Sequence, residues 1–182
     1  MPQFKALSTH AEISGRTLLG ILSGLEVAGA PREEIVTILA KAGVLDPQPG
    51  DWYPQQAILT VLDESAKRWG TEALRSAGRA VPVTARFPPE VDSLERALLT
   101  LDVAYQVNHR GGRIGQYTCR PVGPRQMEIY CDNPYGCAFD QGILEILLAR
   151  HASSGALPRL EHAPGTGCRE DGARACCFRI AW

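Results

Sequence analysis

Six cysteines occur in the 182 residues, and all of them fall between Cys119 and Cys177. The densest stretch reads His162-Ala-Pro-Gly-Thr-Gly-Cys168-Arg-Glu-Asp-Gly172-Ala-Arg-Ala-Cys176-Cys177. Thiolate sulfur and imidazole nitrogen are donors that zinc selects, and zinc takes four of them in a tetrahedron. A hairpin turning through Gly172 sets Cys168 beside the Cys176-Cys177 pair, and His162, at the end of the preceding segment, reaches the same place. Cys137 is the best-placed residue to supply a further donor. Successive residues of a strand point to opposite faces, so only one of Cys176 and Cys177 can face a metal. Two other readings of these thiols stay open. Reduced cysteines pack as small apolar side chains, and a Cys168 to Cys176 disulfide suits an oxidising compartment.

A second group of residues could hold an organic ligand. Arg110, Arg113 and Arg120 carry guanidinium forks that match carboxylate or phosphate. Against this, His109 and Arg110 also suit a helix C-terminus, where their charge complements the partial negative charge and Gly111-Gly112 closes the helix. Tyr105 and Tyr117, with Trp52 and Tyr53, are either pocket walls or core aromatics. The candidate ligand-binding set is Tyr105, His109, Arg110, Tyr117 and Arg120. The loop from Asp132 to Cys137 delivers Cys137 to a helix N-terminus, which favours a thiolate, or is simply a Pro-directed turn. No nucleophile, base and orienter triad can be assembled, and no glycine-rich phosphate loop, zinc-protease motif or dinucleotide fingerprint is present. That favours binding over catalysis.

The elements that must carry these residues follow from periodicity. Leu18, Ile21, Leu22 and Leu25 recur at helical steps between Ile13 and Gly29. Pro31 opens a second helix that buries Ile35, Ile38 and Leu39, and Trp52-Tyr53-Pro54 opens a third carrying Ile58, Leu62 and Trp69, with a short fourth after Thr71. Val81 to Pro89 holds three prolines and reads as an extended link. Asp92 with Glu95 caps a long helix through Leu94, Leu98, Leu101 and Tyr105, ending at Gly111-Gly112. Alternation then predicts strands around Ile114, Tyr117 and Val122 and around Met127, Ile129 and Cys131. A helix from Phe139 to near Gly155 precedes strands at Ala156 to Ala163 and Cys176 to Trp182. The fold class is α+β, with N-terminal helices followed by a small antiparallel sheet of about four strands with an inserted helix. One ligand-binding domain spans residues 1–182, its helical part and linker covering 1–89 and the long helix with the sheet covering 90–182.

Lys and Arg number 19 against 20 Asp and Glu, a net charge of −1, so no broad electrostatic footprint exists for nucleic acid or anionic lipid. No apolar run approaches the roughly 20 residues of a membrane span. Arg16 followed by Thr-Leu-Leu-Gly-Ile-Leu-Ser-Gly-Leu and Ala28-Gly29-Ala30 mimics a secretion leader, but Glu12 and Glu26 lie in the wrong places, and the cytoplasm is the expected compartment.

The C-terminal pattern Cys168-Arg-x-x-Gly172-x-x-x-Cys176-x-Phe178-x-Ile180-x-Trp182 resembles the end of the 4-vinyl reductase-type small-molecule-binding domain. That family shares its fold with haem-based nitric oxide sensing domains and with Golgi-trafficking complex subunits. In its zinc-containing, phenol-sensing relatives a Cys at the inserted helix, an acidic residue and two loop cysteines bind the metal. The resemblance therefore implies Cys137, Cys168 and Cys176 as ligands, chooses Cys176 over Cys177, and leaves His162 or Glu161 to replace the acidic ligand. The expected metal set is Cys137, His162, Cys168 and Cys176, holding a structural zinc. Haem-bearing relatives use Tyr-x-Ser-x-Arg; here Tyr117-Thr-Cys119-Arg120 departs from it.

The expected function is a non-catalytic sensor of a small hydrophobic or aromatic molecule, held in a cavity between helices and sheet. The chain ends at Trp182, so its output is expected to pass through a homodimer or a separate signalling protein. The alternatives are a tetrapyrrole (haem) binding protein or tetrapyrrole reductase accessory, and a thiol redox switch using Cys119, Cys131 or Cys177.

Overall fold

A computed structural model of the chain describes residues 3–88, 91–151 and 158–182. The first half is mainly helical. Helix α1 (Gly15–Val27) starts where the Ser14 hydroxyl accepts the Thr17 amide at 3.4 Å, and it buries Leu18, Ile21, Leu22 and Leu25 as the spacing predicts. The apolar run that mimics a leader is core. Helix α2 (Arg32–Lys41) follows, with Glu33 and Glu34 in its first turn. The long α3 (Gln55–Thr84) breaks at Gly70, where φ is +77°, so the two predicted helices stand end to end. It continues through Pro82 instead of giving way to a link there. Proline costs one helical hydrogen bond near the end of α3, and Arg150 anchors this turn by donating to the Pro82 carbonyl at 3.0 Å.

The predicted long helix is divided into α4 (Leu94–Leu99) and α5 (Leu101–Val107). Ser93 caps it, not Asp92, its hydroxyl accepting the Arg96 amide at 3.3 Å. The Thr100 hydroxyl donates back to the Arg96 carbonyl at 2.7 Å, a local bond that bends helices and marks the division. The boundary placed at 89 and 90 lies outside the described residues, as do Ala156, Leu157 and the helix end placed near Gly155.

The sheet half matches its expected outline. Strands β4 (Gln116–Gly123), β5 (Gln126–Asp132), β6 (Arg159–His162) and β7 (Cys176–Ala181) form one antiparallel sheet in the order β4-β5-β7-β6. Helix α6 (Cys137–His151) is inserted between β5 and β6 and packs on α3. Their crossing is close because both helices present glycine. A Cβ on Gly78 would lie 2.1 Å from the Phe139 carbonyl oxygen, and one on Gly142 would lie 2.0 Å from that of Arg75.

A second, three-stranded sheet goes beyond the sequence reading. Strands β1 (Glu12–Ser14), β2 (Trp52–Pro54) and β3 (His109–Arg110) pair in the order β2-β1-β3. Each is only two or three residues long. It joins the starts of α1 and α3 to the end of α5, and sets His109 opposite Ile13.

Candidate metal centre

One donor atom from each of Cys137, His162, Cys168 and Cys176 converges, all four lying within 4.8 Å of one another. Each comes from a different local cause. Cys137 opens α6, where the Pro134-Tyr135-Gly136 turn ends. His162 closes β6, its ring stacked on Phe178 with centroids 4.5 Å apart. Cys168 precedes a single turn of 3₁₀ helix at Arg169–Asp171, and its sulfur accepts the Glu170 amide at 3.5 Å. Cys176 starts β7, paired across the sheet with Cys131. Cys137 Sγ stands 3.1 Å from His162 Nε2, and Cys168 Sγ stands 3.6 Å from Cys176 Sγ. The latter separation is far beyond the roughly 2.05 Å of a disulfide, so these are thiols.

Strand alternation separates the members of the two candidate pairs by face. Cys176 shares the inner face of β7 with Phe178, whereas Cys177 pairs with Tyr130 on the other face. On β6 the alternation turns His162 toward the sulfurs, and Glu161 stands opposite Arg179. The other three thiols are poor redox candidates. Burial pushes Cys119 up to about 12 and also raises Cys131 and Cys177, the reverse of a reactive thiolate.

The pKa of the Cys176 thiol is shifted downward within the group. A hydrogen bond from Cys137 lowers it to about 4 against the cost of burial, and donors from Arg169 add to the lowering. Arg169 is the residue that sequence reasoning missed. Its side chain is fully buried and ion-paired with the equally buried Asp140. The guanidinium also donates to the Asn133 backbone carbonyl and, at 3.0 Å, to Asn133 Oδ1. Asp140 further accepts from Tyr117 Oη at 2.6 Å and from Asn133 Nδ2 at 3.2 Å. Only the position of Arg169 beside a candidate ligand hinted at this.

Tyr117 leads to a cavity between α1, α3, α5 and α6, walled by Ile21, Tyr105, His109, Tyr117, Tyr135 and Phe139 among others. Its volume is about 30 Å³, room for one or two waters. His109 is buried and neutral, pushed down to about 4 by desolvation. Its Nδ1 donates to the Tyr105 carbonyl at 2.8 Å, which leaves Nε2 to accept from Tyr135 Oη at 2.7 Å. Tyr135, absent from the expected ligand set, also receives a donor from Gln55 at 3.4 Å.

Of the expected ligand residues, Tyr105, His109 and Tyr117 therefore meet at one cavity, while Arg110 and Arg120 do not. Alternation is the reason: each arginine sits an odd number of places from an inward residue of its own strand, His109 or Tyr117. Arg110 instead pairs with Glu12 at 2.5 Å and lies 4.5 Å over the Trp52 ring. Arg113 is likewise exposed. Trp52 and Tyr53 belong to β2 and do not line the cavity.

No known family model matches the chain, and no curated protein matches it. Solved structures do. An H-NOX protein from S. oneidensis in its Fe(II) ligation state superposes with a TM-score of 0.69 at 15% identity, covering 93% of this chain and 95% of that one. An H-NOX structure used to probe haem distortion gives 0.61 at 14% identity, covering 92% and 94%. An oxygen complex of an H-NOX domain related to soluble guanylate cyclases gives 0.59 at 16%, covering 93% and 94%. The chain has the H-NOX fold. Of the expected resemblance the fold is thus found, and the 4-vinyl reductase label is not supported by the comparisons.

Haem does not fit the residues as they pack. A cavity of about 30 Å³ is far too small, and both ring nitrogens of its wall histidine, His109, are already hydrogen-bonded. No helix among the described residues is long and apolar enough to cross a membrane.

Proposed function

We propose that this chain is a non-catalytic sensory domain with a structural zinc bound by Cys137, His162, Cys168 and Cys176. The convergence of those four donors within 4.8 Å carries the reading. Four protein ligands leave zinc no open position, so the metal fastens the loop before β7 to α6 and β6 and takes no part in a reaction. The sensed molecule is small and apolar and enters beside Tyr105, His109 and Tyr117. A molecule of one or two heavy atoms fits the cavity as it stands, and an aromatic one requires the wall to move. Output passes through a homodimer or a separate signalling protein, in the cytoplasm. Metal analysis of the purified protein beside Cys168→Ala tests the zinc: metal present in the parent and depleted in the variant supports it, and zinc absent from both ends it.

Haem binding is the second reading; it requires the cavity wall to open and His109 to give up a hydrogen bond, and its support is the likeness to H-NOX proteins described with Fe(II), with haem distortion and with oxygen. The visible spectrum of protein made with haem supplied separates the two. A stoichiometric Soret band establishes haem, and a colourless protein containing zinc establishes the thiolate site alone.

A further inference from the structure

We propose that Arg169 is a positioning residue through which the metal centre and the cavity wall act on each other. This rests on the reading of Cys137, His162, Cys168 and Cys176 as a zinc site. The guanidinium is a planar fork whose donors point in fixed directions. Nε bonds the Cys176 sulfur at 3.3 Å while Nη2 is held by Asp140. It cannot turn toward one without loosening the other. Asp140 is itself held by the Tyr117 hydroxyl at 2.6 Å, and the Tyr117 ring is part of the cavity wall. Cys176, Arg169, Asp140 and Tyr117 thus form one unbroken chain from a metal donor to the cavity. Every link except the Cys176 sulfur is a planar polar group in dry surroundings, where hydrogen bonds are strong and a missing one is costly.

Removing the Tyr117 hydroxyl leaves Asp140 one donor short, so the carboxylate draws harder on Arg169, and Cys176 loses part of its outer support. Outer partners of metal ligands typically set affinity by about 10- to 100-fold. By reciprocity, zinc binding must alter the environment of Tyr117. A neighbouring tyrosine provides the control. Tyr105 lines the same cavity, but its hydroxyl donates to the Ile114 carbonyl at 2.6 Å and has no part in the chain.

Arg169→Ala would strand a buried carboxylate and could unfold the protein, so the test uses Tyr117→Phe and Tyr105→Phe in the full chain. Zinc affinity is measured by chelator competition, with folding checked by circular dichroism, and the tyrosine rings are followed by NMR as zinc is added. The expected result is a zinc affinity about 10-fold lower in Tyr117→Phe, an unchanged one in Tyr105→Phe, and a zinc-dependent shift of the Tyr117 ring. Equal affinities in all three proteins overturn the coupling and leave the zinc site standing. Equal losses in both variants also overturn it, because they reflect the cavity as a whole. A parent protein that binds no zinc overturns the metal reading, and the coupling falls with it.

Discussion

Arg169 gives two donors to a single sulfur, its backbone amide at 3.4 Å and its Nε at 3.3 Å from Cys176 Sγ. The same side chain neutralises Asp140 in a place that water does not reach. Breaking a buried ion pair by removing one partner typically costs about 3–5 kcal/mol. Arg169→Met is expected to lose that much in urea unfolding, and Arg169→Met with Asp140→Leu to lose clearly less, since no charge is then left unpaired. Additive losses would show that the two side chains do not depend on each other.

His109 gives the protein an acid limb. Its proton affinity corresponds to 6.5 in the ordinary state and about 4 when buried in the fold. Between those values the unfolded chain binds more protons than the folded one, so stability is present at neutral pH and falls as the pH falls. From about pH 7.5 to about pH 5 this histidine alone is expected to remove about 2 kcal/mol. His109→Gln, which keeps a side-chain acceptor for Tyr135, should lose that share of the pH dependence. An identical slope in both proteins would mean that His109 titrates normally in the fold.

The glycine crossing of α3 and α6 sets where α6 begins, and therefore where Cys137 stands. Gly142→Val inserts a side chain where even a Cβ would lie 2.0 Å from the Arg75 carbonyl oxygen. The backbone cannot yield cheaply, and a loss of about 1–3 kcal/mol or more is expected. Thermal unfolding measures it, and a wild-type midpoint would contradict the close packing.

Zinc removal should act locally before it acts globally. The loop between β6 and β7 is rich in glycine and exposed residues, and the proposed metal fastens it at Cys168. On chelation, hydrogen exchange is expected to quicken in residues 163–175 and to change little in β4 and β5. Uniform quickening would place the metal's stabilising effect elsewhere.

Much of this was legible from residue patterns. Leu18, Ile21, Leu22 and Leu25 declared α1 because one buried face of a helix leaves a clear period, and Met127, Ile129 and Cys131 declared β5 by alternation. The donors of the candidate site showed because few residue types suit zinc. The three-stranded sheet did not show, because pairs such as Ile13 with Tyr53 and His109 join residues remote in sequence through strands too short to carry a period. Arg110 and Arg120 misled for a related reason. Clustering in sequence suggested a common target, but a one-residue step along a strand reverses direction. Arg169 and Tyr135 owe their roles to burial beside Asp140 and His109, and nothing in a loop sequence announces burial.

X-ray absorption at the zinc edge of the purified protein tests the proposed centre most directly. The expected spectrum has three sulfur neighbours at about 2.3 Å and one nitrogen at about 2.0–2.1 Å, with a sulfur lost in Cys176→Ser. A shell of oxygen and nitrogen alone, or a protein that carries iron in haem and no zinc, would contradict it.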